Sequence, residues 1–355
     1  MALVVVDGKL RIGPTGPAVI GSPAPPGEGH LVVQIPGGWD VTAPDGGRLL
    51  VAAAPWTAVL GEAVLGEAVL DETALPGATA QPRETAPVSG TAQPPDGVAP
   101  YDVALLDLIA DPFQLGELRR RGLIQPDTAI AACYVDDRGA AEAELARRCA
   151  LWGATLPDDG DRVPGAVPLA AQPPTRTLVL GGARSGKSGE AELRLAGEAE
   201  VLYLATGATA DETVDPDWAR RVAAHRSRRP RGWATLESPD VAGALRSIST
   251  GAVLVDGIGT WLAGVMDKCG AWDQPAASPA AEAGIAAAVD DLVAAWRQAP
   301  ARVVAVSDET GSGVVPPTVS GRLFRDTLGL VNQRLAAESE EVVLVVAGRV
   351  MTLPT

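Results

Sequence analysis

Short apolar runs alternate with longer segments of helical spacing through the second half of the chain. Val201–Ala205, Ala252–Val255 and Arg302–Ser307 read as strands, and so does the apolar run Thr177–Leu180. Between and after them, Gly189–Leu195, Pro216–Arg226, Glu282–Ala299 and Gly321–Glu338 read as helices. Val342–Ala347 and Val350–Leu353 close the chain as a hairpin around Gly348-Arg349. This alternation predicts an α/β fold, a mostly parallel sheet covered by helices.

The first half is patterned differently. Leu3–Val6, Leu31–Ile35 and Leu49–Ala53 are short strands between turns such as Pro36-Gly-Gly and Pro44-Asp-Gly-Gly. The pentapeptide Ala58-Val-Leu-Gly-Glu then recurs at Ala63 and, with Asp for Gly, at Ala68, a period that matches neither helix nor strand. Residues 73–100 are dense in Pro, Ala, Thr and Gly and read as a flexible linker. Beyond it, Val103–Ile109 is a strand. Asp111-Pro112 opens a helix to about Arg121, Thr128–Val135 is a strand, and Ala140–Trp152 is a helix with Leu145, Cys149 and Trp152 on one face. Five prolines in 153–175 place a domain boundary near 172. The expectation is a smaller mixed α/β domain over 1–172 and a larger α/β domain over 173–355.

Composition narrows the function classes. The chain has 355 residues, 46% of them hydrophobic and 21% charged, enough for two packed cores. Its net charge of −15 argues against a nucleic-acid-binding surface, which needs clustered positive charge. Cys133, Cys149 and Cys269 are odd in number and widely spaced, so neither a disulfide framework nor a zinc knuckle is expected, and a reducing cytoplasm fits. No signal peptide or membrane span is expected either. With only His30 and His225 in the chain, a site built on several histidines is excluded; His30 reads as a turn residue before a strand.

The chemistry begins at Gly181-Gly-Ala-Arg-Ser-Gly-Lys-Ser188, a complete phosphate-binding loop between a strand and a helix. Gly181, Gly182, Ala183, Arg184, Ser185 and Gly186 form the curl whose amides point at phosphate oxygens. Lys187 reaches the outer phosphates, and Ser188 offers its hydroxyl to Mg²⁺. The larger domain is therefore expected to have the fold of a P-loop NTPase. Asp256 ends the strand Val253-Leu-Val-Asp, where it either supports Mg²⁺ or caps a turn. Ser307-Asp308-Glu309-Thr310-Gly311-Ser312-Gly313 follows another strand at its C-terminal end, the side on which parallel-sheet sites lie.

Six arginines crowd Arg220–Arg231 around His225 in an otherwise acidic chain. Guanidinium groups suit polyphosphate, and nearby cations keep an imidazole neutral and nucleophilic. His225 is therefore either a nucleophile toward phosphorus or a passenger in a solvated basic helix. Arg322, Arg325, Asn332 and Arg334 share one helical segment and either face solvent or reach the site.

Several further motifs stand in order: Tyr203-Leu-Ala-Thr-Gly, Arg221-Val-Ala-Ala-His-Arg-Ser-Arg-Arg-Pro, Trp233-Ala-Thr-Leu-Glu, Val255-Asp256 with Trp261-Leu, Val306-Ser-Asp-Glu-Thr-Gly-Ser-Gly-Val-Val-Pro and Phe324-Arg-Asp-Thr-Leu-Gly-Leu-Val-Asn-Gln-Arg-Leu-Ala. With the phosphate loop, this set resembles the bifunctional adenosylcobinamide kinases and adenosylcobinamide-phosphate guanylyltransferases of cobalamin biosynthesis, over about half the chain. The resemblance implies phosphorylation of adenosylcobinamide by ATP or GTP. It then implies transfer of GMP from GTP to the resulting phosphate through a guanylylated histidine, here His225, with Lys187 assisting. It implies nucleotide contacts at Gly181–Ser188, Thr206, Gly207, Ala208, Arg226, Ser227, Arg228, Arg229, Glu237 and Asp256, with Mg²⁺ held through the nucleotide by Ser188 and Asp256. Ala224 precedes His225, so no neighbouring histidine substitutes for it. The expected partners are the corrinoid and the nucleotides, and a homo-oligomer stays open.

That family usually consists of the C-terminal half alone. Residues 1–172 faintly resemble a metallo-β-lactamase-like domain, but the His-x-His-x-Asp-His motif is absent. This implies an inactive remnant with a structural or partner-contacting role.

Overall fold

The computed structural model describes residues 3–6, 9–12, 18–19, 31–35, 38–42, 46–52, 99–132, 142–157, 173–207, 229–230, 232–272 and 278–354. The pentapeptide repeat, nearly all of the expected linker and the helix expected over Pro216–Arg226 lie outside the described residues. The chain separates into two compact units, Met1–Ala171 and Gln172–Thr355. No described helix is long and apolar enough to cross a membrane.

In the first unit, β1 (Leu3–Val6), β2 (Lys9–Ile12) and β3 (Ala18–Val19) form an antiparallel sheet. A second sheet runs in the order β4 (Leu31–Ile35), β5 (Gly38–Thr42), β6 (Arg48–Ala52), β7 (Val103–Leu106) and β8 (Ala129–Ala132). It is antiparallel as far as β6 and parallel from there on. The helices are α1 (Gln114–Arg120) and α2 (Glu142–Trp152). Strand β7 is shorter than its apolar run because Asp107 Oδ1 accepts the Ala110 N–H at 3.0 Å and turns the chain. Helix α1 begins later than expected because Asp111 Oδ1 accepts the Phe113 N–H at 3.1 Å, holding Asp111-Pro112 in a turn. Leu50, Leu106, Leu115, Leu118 and Trp152 are buried. Burial pushes the Cys149 thiol up to about 11, so it is inert at neutral pH.

The second unit is a seven-stranded sheet. Its strands are β9 (Arg176–Gly181), β10 (Val201–Ala205), β11 (Ala234–Glu237), β12 (Ala252–Asp256), β13 (Arg302–Asp308), β14 (Glu341–Val346) and β15 (Arg349–Thr352). Their spatial order is β11-β10-β12-β13-β9-β14-β15. Every pair is parallel except the terminal hairpin β14–β15. The helices are α3 (Lys187–Leu195), α4 (Val241–Ser247), α5 (Ile258–Lys268), α6 (Pro279–Gln298) and α7 (Val319–Ala337).

The apolar strand runs are explained by burial on both faces. Leu178, Leu180, Val253, Val255, Val303 and Ala305 join one core with Trp261, Leu292, Trp296 and Leu335. The residues alternating with them, Val179, Leu254, Val304 and Val306, join a second core with Ala191, Leu195 and Tyr203. The long helices start at side-chain caps. Ser278 accepts the Ala281 N–H ahead of Pro279, and Thr318 accepts the Gly321 N–H.

Helices α4 and α5 and strand β11 go beyond the elements read from the pattern. Two glycines in Ile258–Lys268, Gly259 and Gly264, mask a helical stripe of Ile258, Trp261, Leu262 and Met266, all buried. Strand β11 is exposed along its length, so no apolar alternation marks it.

Candidate active site

Parallel pairing brings five strand ends to one side of the sheet. These are the loop after β9, Thr206-Gly207 after β10, Glu237 ending β11, Asp256 ending β12 and Asp308 ending β13. Ligands bind on that side in open α/β sheets, where neighbouring strands send their connections to opposite faces.

The loop is held from below. Gly348 N–H donates to Ser185 O at 2.8 Å, so the β14–β15 turn supports its middle. Glu309 N–H donates to Gly181 O at 3.1 Å, joining its start to the end of β13. Gly186 has φ 99°, a conformation that suits glycine, and the helix α3 begins at the next residue. Gly181 is needed for a different reason. A Cβ there would stand 2.7 Å from Val345 O and against Ser185 Oγ. Gly181→Ala is therefore expected to push the loop off the hairpin and weaken nucleotide binding at least about tenfold, or ~1.4 kcal/mol, as read by equilibrium titration with GTP.

Lys187 and Ser188, in the first turn of α3, meet two different carboxylates. Lys187 Nζ is 2.8 Å from Asp308 Oδ1 and donates to Gly182 O at 3.1 Å. The Ser188 hydroxyl donates to Asp256 Oδ1 at 3.3 Å. Asp256 Oδ2 accepts from the Tyr203 hydroxyl. Thr206 Oγ1 donates to Gly257 O at 2.6 Å and fixes the chain just past Asp256. Burial, and then the neighbouring Asp256 charge, pushes the Tyr203 phenol far above its usual value, so it stays a donor. The Arg229 guanidinium sits over the Tyr203 ring, 4.1 Å from its centroid.

The structure thus brings together Gly181–Ser188, Asp256, Thr206 and Arg229. Glu237 stands on the exposed edge strand, paired in register with Ala205. His225, Ala208, Arg226, Ser227 and Arg228 lie outside the described residues, as do His30 and Cys133.

The four residues of α7 part company. Asn332 is buried and turns inward: it accepts from Ser307 Oγ at 2.6 Å and donates to Asp308 O at 3.1 Å. The arginines are engaged elsewhere. Arg322 donates to Pro316 O and Pro317 O, Arg325 pairs with Asp326, and Arg334 pairs with Asp290.

Two participants escaped sequence reasoning. Asp308 stood in a glycine-rich strand-end loop and Tyr203 opened the motif Tyr203-Leu-Ala-Thr-Gly, but neither was assigned a role. Their roles depend on neighbours distant in sequence.

Among the described residues no three His, Cys, Asp or Glu side chains gather to hold a metal. The Ser188 hydroxyl and Asp256 carboxylate are a hard oxygen pair. They suit a Mg²⁺ that takes its remaining ligands from phosphates and water.

Residues 177–353 match the family model described as cobinamide kinase / cobinamide phosphate guanyltransferase. The bifunctional adenosylcobalamin biosynthesis protein CobU of Escherichia coli (strain K12) is 38% identical over 180 residues, 48% of this chain and 95% of that protein. The protein of the same name from Salmonella typhimurium (strain LT2) is 38% identical over 178 residues, again 48% of this chain and 95% of that protein. The bifunctional adenosylcobalamin biosynthesis protein CobP of Pseudomonas aeruginosa (strain PAO1) is 39% identical over 183 residues, 50% of this chain and 96% of that protein.

Proposed function

The chain belongs to the cobinamide kinase / cobinamide phosphate guanyltransferase family, and we propose that it runs both transfers at one phosphate loop within residues 173–355, the second through a covalent His225 intermediate. The observation that carries the reading is the pair of carboxylates meeting the first turn of α3, Asp308 at Lys187 and Asp256 at Ser188. It gives the loop a cation for the triphosphate tail and a separate oxygen site for the metal.

In the kinase step the corrinoid's aminopropanol hydroxyl attacks the γ-phosphorus of the nucleoside triphosphate and gives up its proton to water. The γ–β bridge bond breaks and the diphosphate leaves. Lys187 exchanges Asp308 for the outer phosphate oxygens, and the loop amides hold the tail. Ser188 and Asp256 would hold a nucleotide-borne Mg²⁺, which would supply charge neutralisation on the phosphates.

In the guanylyl step the same tail becomes the leaving group. The neutral His225 imidazole attacks the α-phosphorus of GTP, a P–N bond forms and pyrophosphate departs against Lys187 and the loop amides. An oxygen of the corrinoid phosphate then attacks that phosphorus, the P–N bond breaks, and adenosylcobinamide-GDP forms. Division into two displacements lets GTP and a bulky corrinoid use the site in turn. Arg229 offsets charge on the transferring group.

The test is GTP labelled at the α-phosphate. An acid-labile, base-stable label is expected on the protein and is expected to vanish in His225→Asn. That variant is expected to keep transferring γ-label to adenosylcobinamide. Absence of label on the unaltered protein, or label surviving in His225→Asn, overturns the covalent route.

A further inference from the structure

Tyr203 is fully buried, yet both ends of its side chain are committed. Its hydroxyl donates to Asp256 Oδ2, while Asp256 Oδ1 accepts from Ser188. The carboxylate is thereby clamped from two sides, and one of its orientations is chosen before any ligand arrives. The face of the same ring carries the Arg229 guanidinium at 4.1 Å. Arg229 Nε is buried and finds no hydrogen-bond partner among the described residues. A guanidinium seated on an aromatic face with a donor unspent is prepared for an anion.

The strand places the ring to do this. Tyr203 pairs with Leu254 and Thr235 on the two neighbouring strands, and Asp256 lies two residues farther along β12. The phenol therefore spans from the middle of the sheet toward its ligand-binding edge. Tyr203 shares one close-packed core with Val201, Leu254, Val304 and Val306, so the ring has little freedom to follow a moving partner.

Resting on the two-step reading above, we infer that Tyr203 is a positioning residue that couples the metal-binding and phosphate-transfer halves of the site. Its hydroxyl sets the carboxylate that faces the metal. Its ring sets the arginine that faces the nucleotide. Each half is ordered by the same rigid side chain, so neither can shift without the other.

The hydroxyl and the ring can be removed separately. Tyr203→Phe keeps the ring. At saturating Mg²⁺ its binding of a fluorescent GTP analogue and its labelling from α-labelled GTP are expected within about threefold of the unaltered protein. Its half-saturating Mg²⁺ is expected to rise about fivefold, because one hydrogen bond to the Asp256 carboxylate is lost. Tyr203→Leu removes the seat and is expected to weaken binding and slow labelling about 10–30-fold, the size of a desolvated cation–π contact. In the double variant Tyr203→Leu/Arg229→Ala, both quantities are expected to match Arg229→Ala alone within about threefold, because the two residues act as a unit.

Equal losses in Phe and Leu, a double variant that falls by the product of the single losses, or an unmoved Mg²⁺ midpoint would each overturn the coupling. If Tyr203→Leu does not fold, Arg229→Lys carries the ring arm. It keeps the charge without the planar stack and is expected to weaken binding about tenfold, whereas unchanged binding overturns that arm. Binding of the fluorescent analogue is read independently of covalent labelling of the protein. A failure of the His225 intermediate is therefore seen in the unaltered protein, and a failure of the Tyr203 coupling is seen in the variants.

Discussion

Lys187→Ala is expected to lower both γ-phosphoryl transfer to adenosylcobinamide and labelling of the protein from α-labelled GTP by at least about 10²–10³-fold. The reason is the shared use of one ammonium. On the proposed mechanism Lys187 faces the triphosphate tail in either reaction, as a clamp on the transferring phosphoryl group in the first and on the leaving pyrophosphate in the second. The loss has a second component. Asp308 Oδ1 now lies 2.8 Å from the Lys187 ammonium, and without that cation its carboxylate confronts the incoming phosphates directly. Adding Asp308→Asn to Lys187→Ala is therefore expected to recover part of the GTP affinity, about threefold or more, with little recovery of either rate. Titration with GTP and the two transfer assays, run side by side, decide it. An effect confined to one transfer would mean that the two reactions use different tail sites. A double variant that binds no better than Lys187→Ala would mean that Asp308 does not face the phosphates.

The largest effect on stability is expected at Arg194, on the buried side of the same helix. Its guanidinium is 2% exposed, with Nε 3.0 Å from Glu190 Oε1 and Nη1 on Glu341 Oε2. Thr177 Oγ1 also donates to that Glu341 oxygen, at 3.3 Å. One arginine thus ties α3 to β14 and, through Glu341, to β9, the strand that leads into the phosphate loop. Arg194→Met keeps most of the stem but leaves two carboxylates without their cation. Breaking a buried ion pair from one side costs about 3–5 kcal/mol, because the remaining charge is desolvated and uncompensated. For a unit of this size that corresponds to a fall in Tm of roughly 6–20 °C. Thermal unfolding of the full chain measures it, followed by the transition that loses with Arg194→Met. Neutralising the partners as well, in Arg194→Met/Glu190→Gln/Glu341→Gln, is expected to restore about half or more of the loss. A triple variant as unstable as the single one would assign the effect to packing of the arginine stem.

The second unit was far more legible from the chain than the first. Strands buried on both faces are apolar along nearly their whole length, so the runs Val201–Ala205, Ala252–Val255 and Arg302–Ser307 announce β10, β12 and β13. The caps at Ser278 and Thr318 are local side-chain-to-backbone bonds, and the long helices behind them were correspondingly easy to place. Strand β11 was not, because an exposed edge strand imposes no apolar pattern. In the first unit, the strand Val103–Leu106 and helix α1 were anticipated, but not where the Asp107 and Asp111 turns would cut them.

The site divides along the same line. The glycines, lysine and serine of Gly181–Ser188 are contiguous, and their chemistry is a property of one loop and one helix start. That segment, together with the family to which the chain belongs, is written in the order of residues alone. What only the tertiary structure decided is which groups stand opposite that loop. Asp308 meets Lys187 across a sequence separation that no local pattern encodes, and Tyr203 reaches Asp256 from a different strand. Asn332 turns inward to Asp308 O while Arg334, on the same helix, pairs outward with Asp290. Helical spacing sets those two residues about 200° apart but could not say which of them faces inward. The physical reason is that strand order and register, set by burial of both sheet faces, determine which side chains share the ligand-binding edge, and burial is a property of the packed whole.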